Sequence, residues 1–223
     1  MKSCRSGRHN VPVTHTRGKP EPTRWGDREQ RRIDILRSGE ALLMSGGYDA
    51  LRMRDVAAGA DISLGTVYTY YPNKESLFIA IFAHRLDAMM ARLAPAIASA
   101  RDAVEAFTVT VNMYREDYQI FGRQFDALSL GTLENEVQAE AADLLRQSTE
   151  RMVAALSSVL LRFGYEGDPA PAMTLLWATM RGLANHYASL RQQFLVVPWD
   201  DAVRFAAESL TRSFGLGMSP GSD

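Results

Sequence analysis

Apolar residues in the first part of the chain recur at the spacing of α-helices. The first set predicts a helix from Asp27 onward, with a core-facing side formed by Ile35, Leu36, Gly39, Leu42 and Leu43. The pair Gly46-Gly47 is expected to end this helix, because glycine favours helix ends over helix interiors. The next apolar set predicts a helix of about two turns that ends at Ala60. Its members are Leu51, Met53, Val56 and Ala57.

A third short helix and a long fourth helix follow. Ser63 can accept a hydrogen bond from the free N–H groups of a helix start, so it predicts the N-cap of a helix that runs to Tyr71. Pro72-Asn73 breaks the chain, and the fourth helix is expected to begin at Lys74. We expect Pro95 to end or kink that helix, because proline has no N–H to donate to the preceding turn.

The rest of the chain shows the helical period over longer segments. We predict helices over residues 103–115 and 118–130, and a third along which apolar residues from 145 to 163 recur every 3.5 positions or so. Asp168 is expected to cap the next helix, Pro198 to end it, and Asp200 or Asp201 to cap the last one. No segment alternates polar and apolar residues as a half-buried strand does, so the predicted fold class is all-α.

Composition narrows the class of protein. Of the 223 residues, 46% are hydrophobic and 23% charged, which is typical of a globular chain. The apolar run 77–83 is much shorter than the roughly 18 residues of a membrane span, and residues 1–30 contain no apolar signal segment. The single Cys4 excludes a disulfide framework and a cysteine-rich metal site. We therefore expect a cytoplasmic protein that does not cross a membrane.

Charge divides the chain into two parts. Residues 1–92 contain 15 Lys and Arg against 10 Asp and Glu, a net charge of +5, whereas residues 93–223 contain 10 against 16, a net charge of −6. Because a basic N-terminal part precedes an acidic C-terminal part, we expect the N-terminal part to approach a polyanion such as DNA. The polar, basic segment 1–24 is either a flexible terminus or an arm that lies along a nucleic-acid groove.

The segment from residue 47 to residue 77 has the most specific pattern. The sequences GYDA at 47–50, RDVA at 54–57 and ISLGTVYTYYPNKESL at 62–77 resemble, in order and without gaps, the DNA-binding domain of the tetracycline-repressor (TetR/AcrR) family. The resemblance covers residues 30–82. It implies a flexible basic arm (1–26), a three-helix helix-turn-helix DNA-binding domain (27–74) and a larger helical ligand-binding and dimerisation domain (75–223).

The chemistry of the third helix agrees with this resemblance. Free N–H groups after Ser63 can bind a phosphate, and Gly65 and Thr66 lie in the first turn, where a recognition helix meets base edges. Lys74 supplies a positive charge for a phosphate. The expected DNA-binding residues are Arg52, Arg54, Ser63, Leu64, Gly65, Thr66, Tyr68, Thr69, Tyr70 and Lys74. By the resemblance, Val67, Tyr71 and Leu77 pack inside the domain.

Three residues depart from the family pattern. Arg52 replaces the usual Thr or Ser, so the second helix loses its ordinary N-cap and gains a side chain that can contact phosphate. Asp61 stands where the family usually has Gly in the turn, and aspartate tolerates the left-handed backbone better than most residues. Leu64 replaces a commonly polar residue, which leaves fewer hydrogen bonds to bases and puts the sequence preference in question.

For the second half of the chain, the resemblance implies a ligand pocket and a dimer interface. The expected pocket residues are Phe107, Met113, Tyr114, Tyr118, Phe121, Phe125, Met152 and Trp177. The expected dimer residues are Leu176, Met180, Leu183, Tyr187, Leu190, Val203, Ala207, Leu210 and Phe214, although an intramolecular core seam fits the same pattern. Asp117 and Asp126 could face a cationic ligand, but we interpret each as a solvated charge.

The sequence does not support the hypothesis that the protein is an enzyme. The four histidines, His9, His15, His84 and His186, show no metal spacing, and no phosphate-binding loop or nucleophile elbow is present. We expect no catalytic residue, cofactor or metal. The resulting hypothesis is a homodimeric transcriptional repressor that binds a roughly palindromic double-stranded operator and is released by an unknown small-molecule effector. The alternative is a helical ligand- or protein-binding module with a vestigial DNA-reading domain.

Overall fold

The computed structural model describes residues 24–122, 124, 126, 137–188, 193–194 and 196–216, with side chains from residue 28 onward. Within these residues all regular secondary structure is helical and no β-strand is present, which confirms the all-α prediction. The basic segment 1–23 lies outside the described residues, and so do Phe125 of the expected pocket and Leu190 of the expected dimer interface.

Three helices form the N-terminal head. They are α1 (Arg24–Ala50), α2 (Met53–Gly59) and α3 (Leu64–Tyr70). The glycine pair was predicted to end α1 but only interrupts it: Gly46 and Gly47 have non-helical backbone angles, and the φ of 67° at Gly47 lies in the left-handed region that favours glycine. The chain resumes helical geometry up to Ala50, so the interruption is a kink close to the end of α1.

The long helix α4 (Lys74–Ala98) joins the head to the rest of the chain. Its first turns pack into the head, where Leu77, Phe78 and Ile81 are fully buried. Gly39 of α1 makes this close packing possible, because a Cβ at that position would lie 2.5 Å from Cδ1 of Ile81. Asn73 caps the helix by accepting a hydrogen bond from the backbone N–H of Ser76 at 2.8 Å, which confirms the predicted start.

Pro95 does not end α4, which continues to Ala98. Proline removes one backbone hydrogen bond, but only three residues of the helix follow Pro95. The last carbonyls of the helix find another donor: the Arg162 guanidinium donates to the carbonyl oxygens of Ile97 (2.6 Å) and Ala98 (3.0 Å).

The remaining helices pack against α4 and against one another. The helix α5 (Ala103–Asp117) continues directly into a π-helical turn (Tyr118–Gly122), so the predicted break after residue 115 is wrong. It is followed by α6 (Ala139–Arg162), α7 (Pro169–Ala188) and α8 (Trp199–Ser213). Of these, α6 lies along α4, and α5 packs between α4 and α8.

The ends of α7 and α8 test three predicted caps. Asp168 accepts a hydrogen bond from the N–H of Ala170 at 2.9 Å, as expected for a residue that caps α7. The prediction that Asp200 or Asp201 caps α8 is wrong, because the helix begins at Trp199 and its N-cap is Pro198. Both aspartates lie in the first turn instead, where their charges interact favourably with the helix dipole.

The apolar seam of α7 and α8 lies inside the chain. Met180, Tyr187, Val203 and Ala207, expected at a dimer interface, are all buried within the single chain. Tyr187 packs its ring edge-on against Trp199, with ring centroids 5.2 Å apart. The other described members of the set are partly buried in the same core: Leu176, Leu183, Leu210 and Phe214. The heptad-like spacing therefore describes an intramolecular seam, because α5 covers it.

Candidate DNA-binding surface and ligand cavity

The turn between α2 and α3 has the geometry of a helix-turn-helix. Asp61 adopts a φ of 54°, so aspartate accommodates the left-handed backbone that the sequence comparison required there. Ile62 then donates its backbone N–H to the carbonyl oxygen of Ala57 at 3.1 Å. Ser63 Oγ accepts a hydrogen bond from the N–H of Thr66 at 3.1 Å, which confirms the predicted N-cap of α3.

One face of α3 is buried and the other is open to solvent. Val67 and the following Tyr71 are buried in the core of the head. The opposite face is exposed at Ser63, Leu64, Gly65, Tyr68 and Thr69, and Arg52 and Arg54 are exposed around the start of α2. Seven of the ten expected DNA-binding residues thus share exposed positions on α2, α3 and their flanks. The other three, Thr66, Tyr70 and Lys74, are partly buried.

Gly65 has no role in the packing of the chain. A Cβ at this position would meet no atom closer than Ser63 Oγ, at 3.9 Å. Glycine inside a helix costs about 1 kcal/mol relative to alanine, and here no internal contact requires that cost. The packing of the chain therefore gives no reason for a glycine at this position.

Two of the partly buried residues also make contacts inside the head. The Tyr70 hydroxyl donates to the carbonyl oxygen of Arg28 in α1 at 3.2 Å. The Lys74 ammonium lies 3.7 Å from the centre of the Tyr48 ring, and partial burial lowers the pKa of Lys74. The Tyr48 hydroxyl in turn donates to Glu75 Oε1 at 3.0 Å. These residues therefore fix the start of α4 against α1 at the edge of the exposed face.

The predicted lack of an ordinary cap on α2 is confirmed. Arg52 occupies the N-cap position and makes no side-chain hydrogen bond to the helix. Its guanidinium is exposed next to the first turn of α2, where Asp55 is the acidic residue.

A cavity of about 240 Å³ lies behind the head, among α4, α5, the π-helical turn, α6 and α7. It is lined by Phe82, Arg85, Leu86, Met89, Tyr114, Asp117, Tyr118, Gly122, Asp126, Leu145, Thr149, Trp177 and Arg181. Three of the expected pocket residues, Tyr114, Tyr118 and Trp177, belong to this wall. Burial raises the pKa of the Tyr114 phenol, so its hydroxyl keeps its proton as a hydrogen-bond donor.

Four expected pocket residues do not line this cavity. Met152 is buried against Leu86 and Met89. Phe107 lines a separate apolar gap of about 60 Å³ between α5, α6, α7 and α8, and Met113 packs in a cluster between α4, α5 and α6. Phe121 is buried in the core of the head. Aromatic and methionine content alone cannot separate a cavity wall from ordinary core.

Charged residues of the cavity wall form ion pairs that the sequence did not predict. Arg85 Nε lies 2.6 Å from Asp117 Oδ1, and Arg85 Nη1 lies 3.0 Å from Glu40 Oε1 of α1. On the other side, Arg181 Nη2 lies 2.5 Å from Asp126 Oδ1. The interpretation of Asp117 and Asp126 as solvated charges is wrong, because both face the cavity and both are paired.

The π-helical turn connects the cavity with the head. Tyr118 lines the cavity and donates its hydroxyl to Asp126 Oδ2 at 2.7 Å, whereas Phe121, three residues later, is buried in the core of the head. Gly122 closes the turn against the Tyr118 ring, where a Cβ would overlap ring carbons. The same turn thus contributes Tyr118 to the cavity wall and Phe121 to the core that contains residues of α1 and α4.

Residues 35–81 match the family model described as bacterial regulatory proteins of the tetR family. The head is a TetR-family domain. The chain is 39% identical over 64 residues to the HTH-type transcriptional repressor KstR of Rhodococcus jostii, and this alignment covers 29% of the chain and 30% of that repressor. The chain thus matches less than a third of the length of this curated relative.

Solved structures extend the likeness of fold beyond the TetR domain. A transcriptional regulator from Rhodococcus sp. Rha1 superposes with a TM-score of 0.63 at 18% identity, over 84% of this chain and 98% of that one. FadR from Bacillus subtilis, solved in complex with stearoyl-CoA, gives a TM-score of 0.54 at 16% identity, over 84% and 100% of the two chains. At these identities the likeness concerns the fold alone.

In the described part of the chain, no helix combines the length and the apolar character of a membrane span. This part also contains no group of three or more His, Cys, Asp or Glu side chains arranged to hold a metal ion.

Proposed function

We propose that this protein is a transcriptional repressor that binds a roughly palindromic DNA operator as a homodimer in the cytoplasm, and that a small molecule in the cavity releases it. In this proposal residues 1–26 are a basic arm, residues 27–74 bind DNA, and residues 75–223 bind the effector and the second subunit. The observation that carries the proposal is the exposed first turn of α3, which presents free backbone N–H groups and a glycine without any packing role.

The exposed face of α3 fits a major groove chemically. Its first turn presents Leu64, Gly65 and the partly buried Thr66, and its middle presents Tyr68, which is 47% exposed, and Thr69. We assign base contacts to the first turn and sugar–phosphate contacts to the tyrosine and threonine hydroxyls. We assign phosphate contacts to Ser63, Tyr70, Lys74, Arg52 and Arg54, with base reading as a further role of Arg54.

We propose a surface for the second subunit other than the one expected from the sequence. The outer side of α7 exposes Leu175 (48%) together with the small residues Ala178 and Gly182, and α8 exposes Phe205 (74%). A Cβ at Gly182 would meet nothing within 4 Å in this chain, so the helix is flat there. We assign the dimer contact to this outer side, where a second copy would cover the exposed phenylalanine and leucine.

A single side chain connects the cavity wall with the proposed DNA-binding domain. Arg85 holds Asp117 in the cavity wall and Glu40 in α1 at the same time, and α1 forms part of the TetR domain. A ligand that rearranges the cavity wall would alter this connection and the placement of α3. Differential affinity for two arrangements of the chain is sufficient to shift its population and release DNA. The stearoyl-CoA complex of FadR from Bacillus subtilis shows that a protein of this fold binds a small molecule.

The proposal is tested by fluorescence anisotropy with duplex DNA from the region flanking the gene for this protein, at several salt concentrations. We expect binding that weakens steeply with salt and exceeds binding to a scrambled duplex. Gly65→Leu should abolish the preference for the operator, because the new side chain fits within the chain but blocks close approach. The matched control, Ala142→Leu on the exposed side of α6, should bind like the parent.

Two outcomes would contradict the proposal. Equal affinity of the parent for operator and scrambled duplex would remove sequence-specific regulation, and would favour a helical binding module whose DNA-reading domain is vestigial. Unchanged operator preference in Gly65→Leu would show that the first turn of α3 does not approach the bases.

A further inference from the structure

The cavity wall contains an acceptor oxygen that the chain itself leaves unused. Asp117 is only 8% exposed, and its Oδ1 is engaged by Arg85 Nε at 2.6 Å. Its second oxygen, Oδ2, is buried and has no hydrogen-bond partner among the described residues. Buried carboxylate oxygens are normally satisfied, so an orphaned one in the wall of a cavity indicates a donor that arrives with a ligand.

The positive charges in the wall are already neutralised. Arg85 is bonded to Asp117 and Glu40, and Arg181 is bonded to Asp126. These bonded groups comprise three carboxylates and two guanidinium groups, so they carry a net charge of −1. An anionic ligand would have to displace a carboxylate from an arginine, whereas a cation would complete the charge balance.

Aromatic rings form much of the remaining wall. Tyr114 packs against Trp177 with ring centroids 5.5 Å apart and against Tyr118 with centroids 5.7 Å apart, and Phe82 lies on the α4 side. The faces of such rings attract cations, most strongly where water is excluded. The wall therefore offers a cation both a charged acceptor and polarisable surfaces.

We infer that the cavity binds a small organic ammonium ion that donates an N–H to Asp117 Oδ2 and packs its apolar body against Tyr114 and Trp177. The cavity, of about 240 Å³, suits a compact amine with one ring or a short chain. This inference rests on the proposed regulatory function and specifies the class of its effector.

The same geometry explains how such a ligand acts on DNA binding. An ammonium at Asp117 Oδ2 shares the negative charge of the carboxylate that Arg85 holds through Oδ1, and Arg85 also holds Glu40 of α1. The ligand therefore weakens the contact through which the cavity wall holds the TetR domain.

The first experiment compares three probes of one shape by isothermal titration calorimetry on the full chain: 2-phenylethylamine, 2-phenylethanol and phenylacetate. We expect the amine to bind at least about ten-fold more tightly than the alcohol, and phenylacetate to bind most weakly, because only the amine combines an N–H donor with a positive charge. Equal affinity for amine and alcohol, or tighter binding of phenylacetate, would overturn the inference.

Variants then locate the binding site. Asp117→Asn keeps the shape and an oxygen for Arg85 but removes the charge, and should weaken amine binding about ten-fold. If that variant fails to fold, Trp177→Leu tests the aromatic wall and should weaken binding of the amine more than binding of the alcohol. The control is Glu116→Gln, an exposed carboxylate that neighbours Asp117 in the chain and pairs with Arg92, which should leave affinity unchanged. Amine affinity that is unaffected by both Asp117→Asn and Trp177→Leu would place the ligand elsewhere.

A final measurement separates this inference from the proposed function. Amine is added to the preformed operator complex, and release is followed by anisotropy. Asp117-dependent amine binding without operator release would support the ligand class but contradict the proposed regulation. An operator complex that forms normally while no amine binds would support the DNA-binding role and overturn the ligand class.

Discussion

The TetR domain and the cavity behind it place charge and apolar surface in opposite arrangements. In the TetR domain the interior is apolar, with Val67, Leu77 and Phe78 fully buried, and the polar groups of α3 lie outside. Around the cavity, the charged residues Arg85, Asp117, Asp126 and Arg181 form part of the wall together with aromatic rings, and Asp117 is buried. The first arrangement suits binding to an external polyanion, and the second suits selection of a small molecule that enters a partly dry site.

The difference also concerns what each region requires for stability. The apolar core of the TetR domain is stabilised by burial, which depends on volume and shape. The cavity wall depends on matched charges, and a buried charge that loses its partner is strongly destabilising. Substitutions in the TetR domain should therefore lower stability by removing buried volume, and substitutions in the cavity wall by leaving charges without partners.

Phe78→Ala should produce the largest loss of stability, about 4 kcal/mol, because the side chain is fully buried between Tyr48 and Phe82 and its removal leaves a cavity in the TetR domain. Urea denaturation followed by circular dichroism measures the effect. Phe205→Ala is the matched control, since that ring is 74% exposed in the chain and its removal should cost far less when the protein is dilute enough to be monomeric. Similar losses in the two variants would disprove the assignment of Phe78 to the core.

Arg85→Met should destabilise by about 3 kcal/mol, because methionine fills much of the same space but leaves Asp117 and Glu40 without their cation. The value is at the lower end of the range for buried pairs, since the Arg85 side chain retains some exposure. Arg92→Met provides the control: its pair with Glu116 is exposed and should contribute less than about 1 kcal/mol. If Arg92→Met were as harmful as Arg85→Met, burial would not explain the charged wall.

The same contrast explains what the sequence could predict. The start of α3 at Ser63 and the start of α4 after Pro72-Asn73 depend on residues within a few positions of one another, and the structure confirms both. The φ of 54° at Asp61 and the uncapped start of α2 followed from single substitutions in a specific local pattern. Local rules are sufficient where the determining residues are neighbours in the chain.

The cavity could not be predicted in this way. Arg85 reaches Asp117 across 32 positions and Glu40 across 45, and neither spacing produces a recognisable pattern. The sequence predicted a helix break between residues 115 and 118, but α5 continues there into a π-helical turn. The seam along Met180 and Tyr187 shows a further limit, since an apolar heptad does not reveal whether its partner is α5 of the same chain or a second subunit.

Lys74→Ala should weaken DNA binding on every sequence, because an ammonium that contacts phosphate does not distinguish bases. The slope of log affinity against log salt should decrease by about one unit. Salt titrations of the operator and the scrambled duplex measure this slope. Loss of the contact with the Tyr48 ring should lower stability slightly, so binding is measured well below the unfolding temperature. A slope that stays unchanged would exclude a phosphate contact by Lys74.

Arg52→Ser should have the smallest effect on stability, and in the opposite direction. Serine at the N-cap of α2 can accept a hydrogen bond from the first turn, which Arg52 does not provide, so the free energy of unfolding should rise by about 0.5–1 kcal/mol. The same change removes a guanidinium from the exposed surface, so DNA binding should weaken and its salt slope should decrease. A stabilised variant that binds DNA less well would show that stability of the TetR domain is given up for charge on its surface. If Arg52→Ser were stabilised with unchanged salt dependence, Arg52 would have no contact with phosphate, and its presence at the cap would have no explanation in DNA binding.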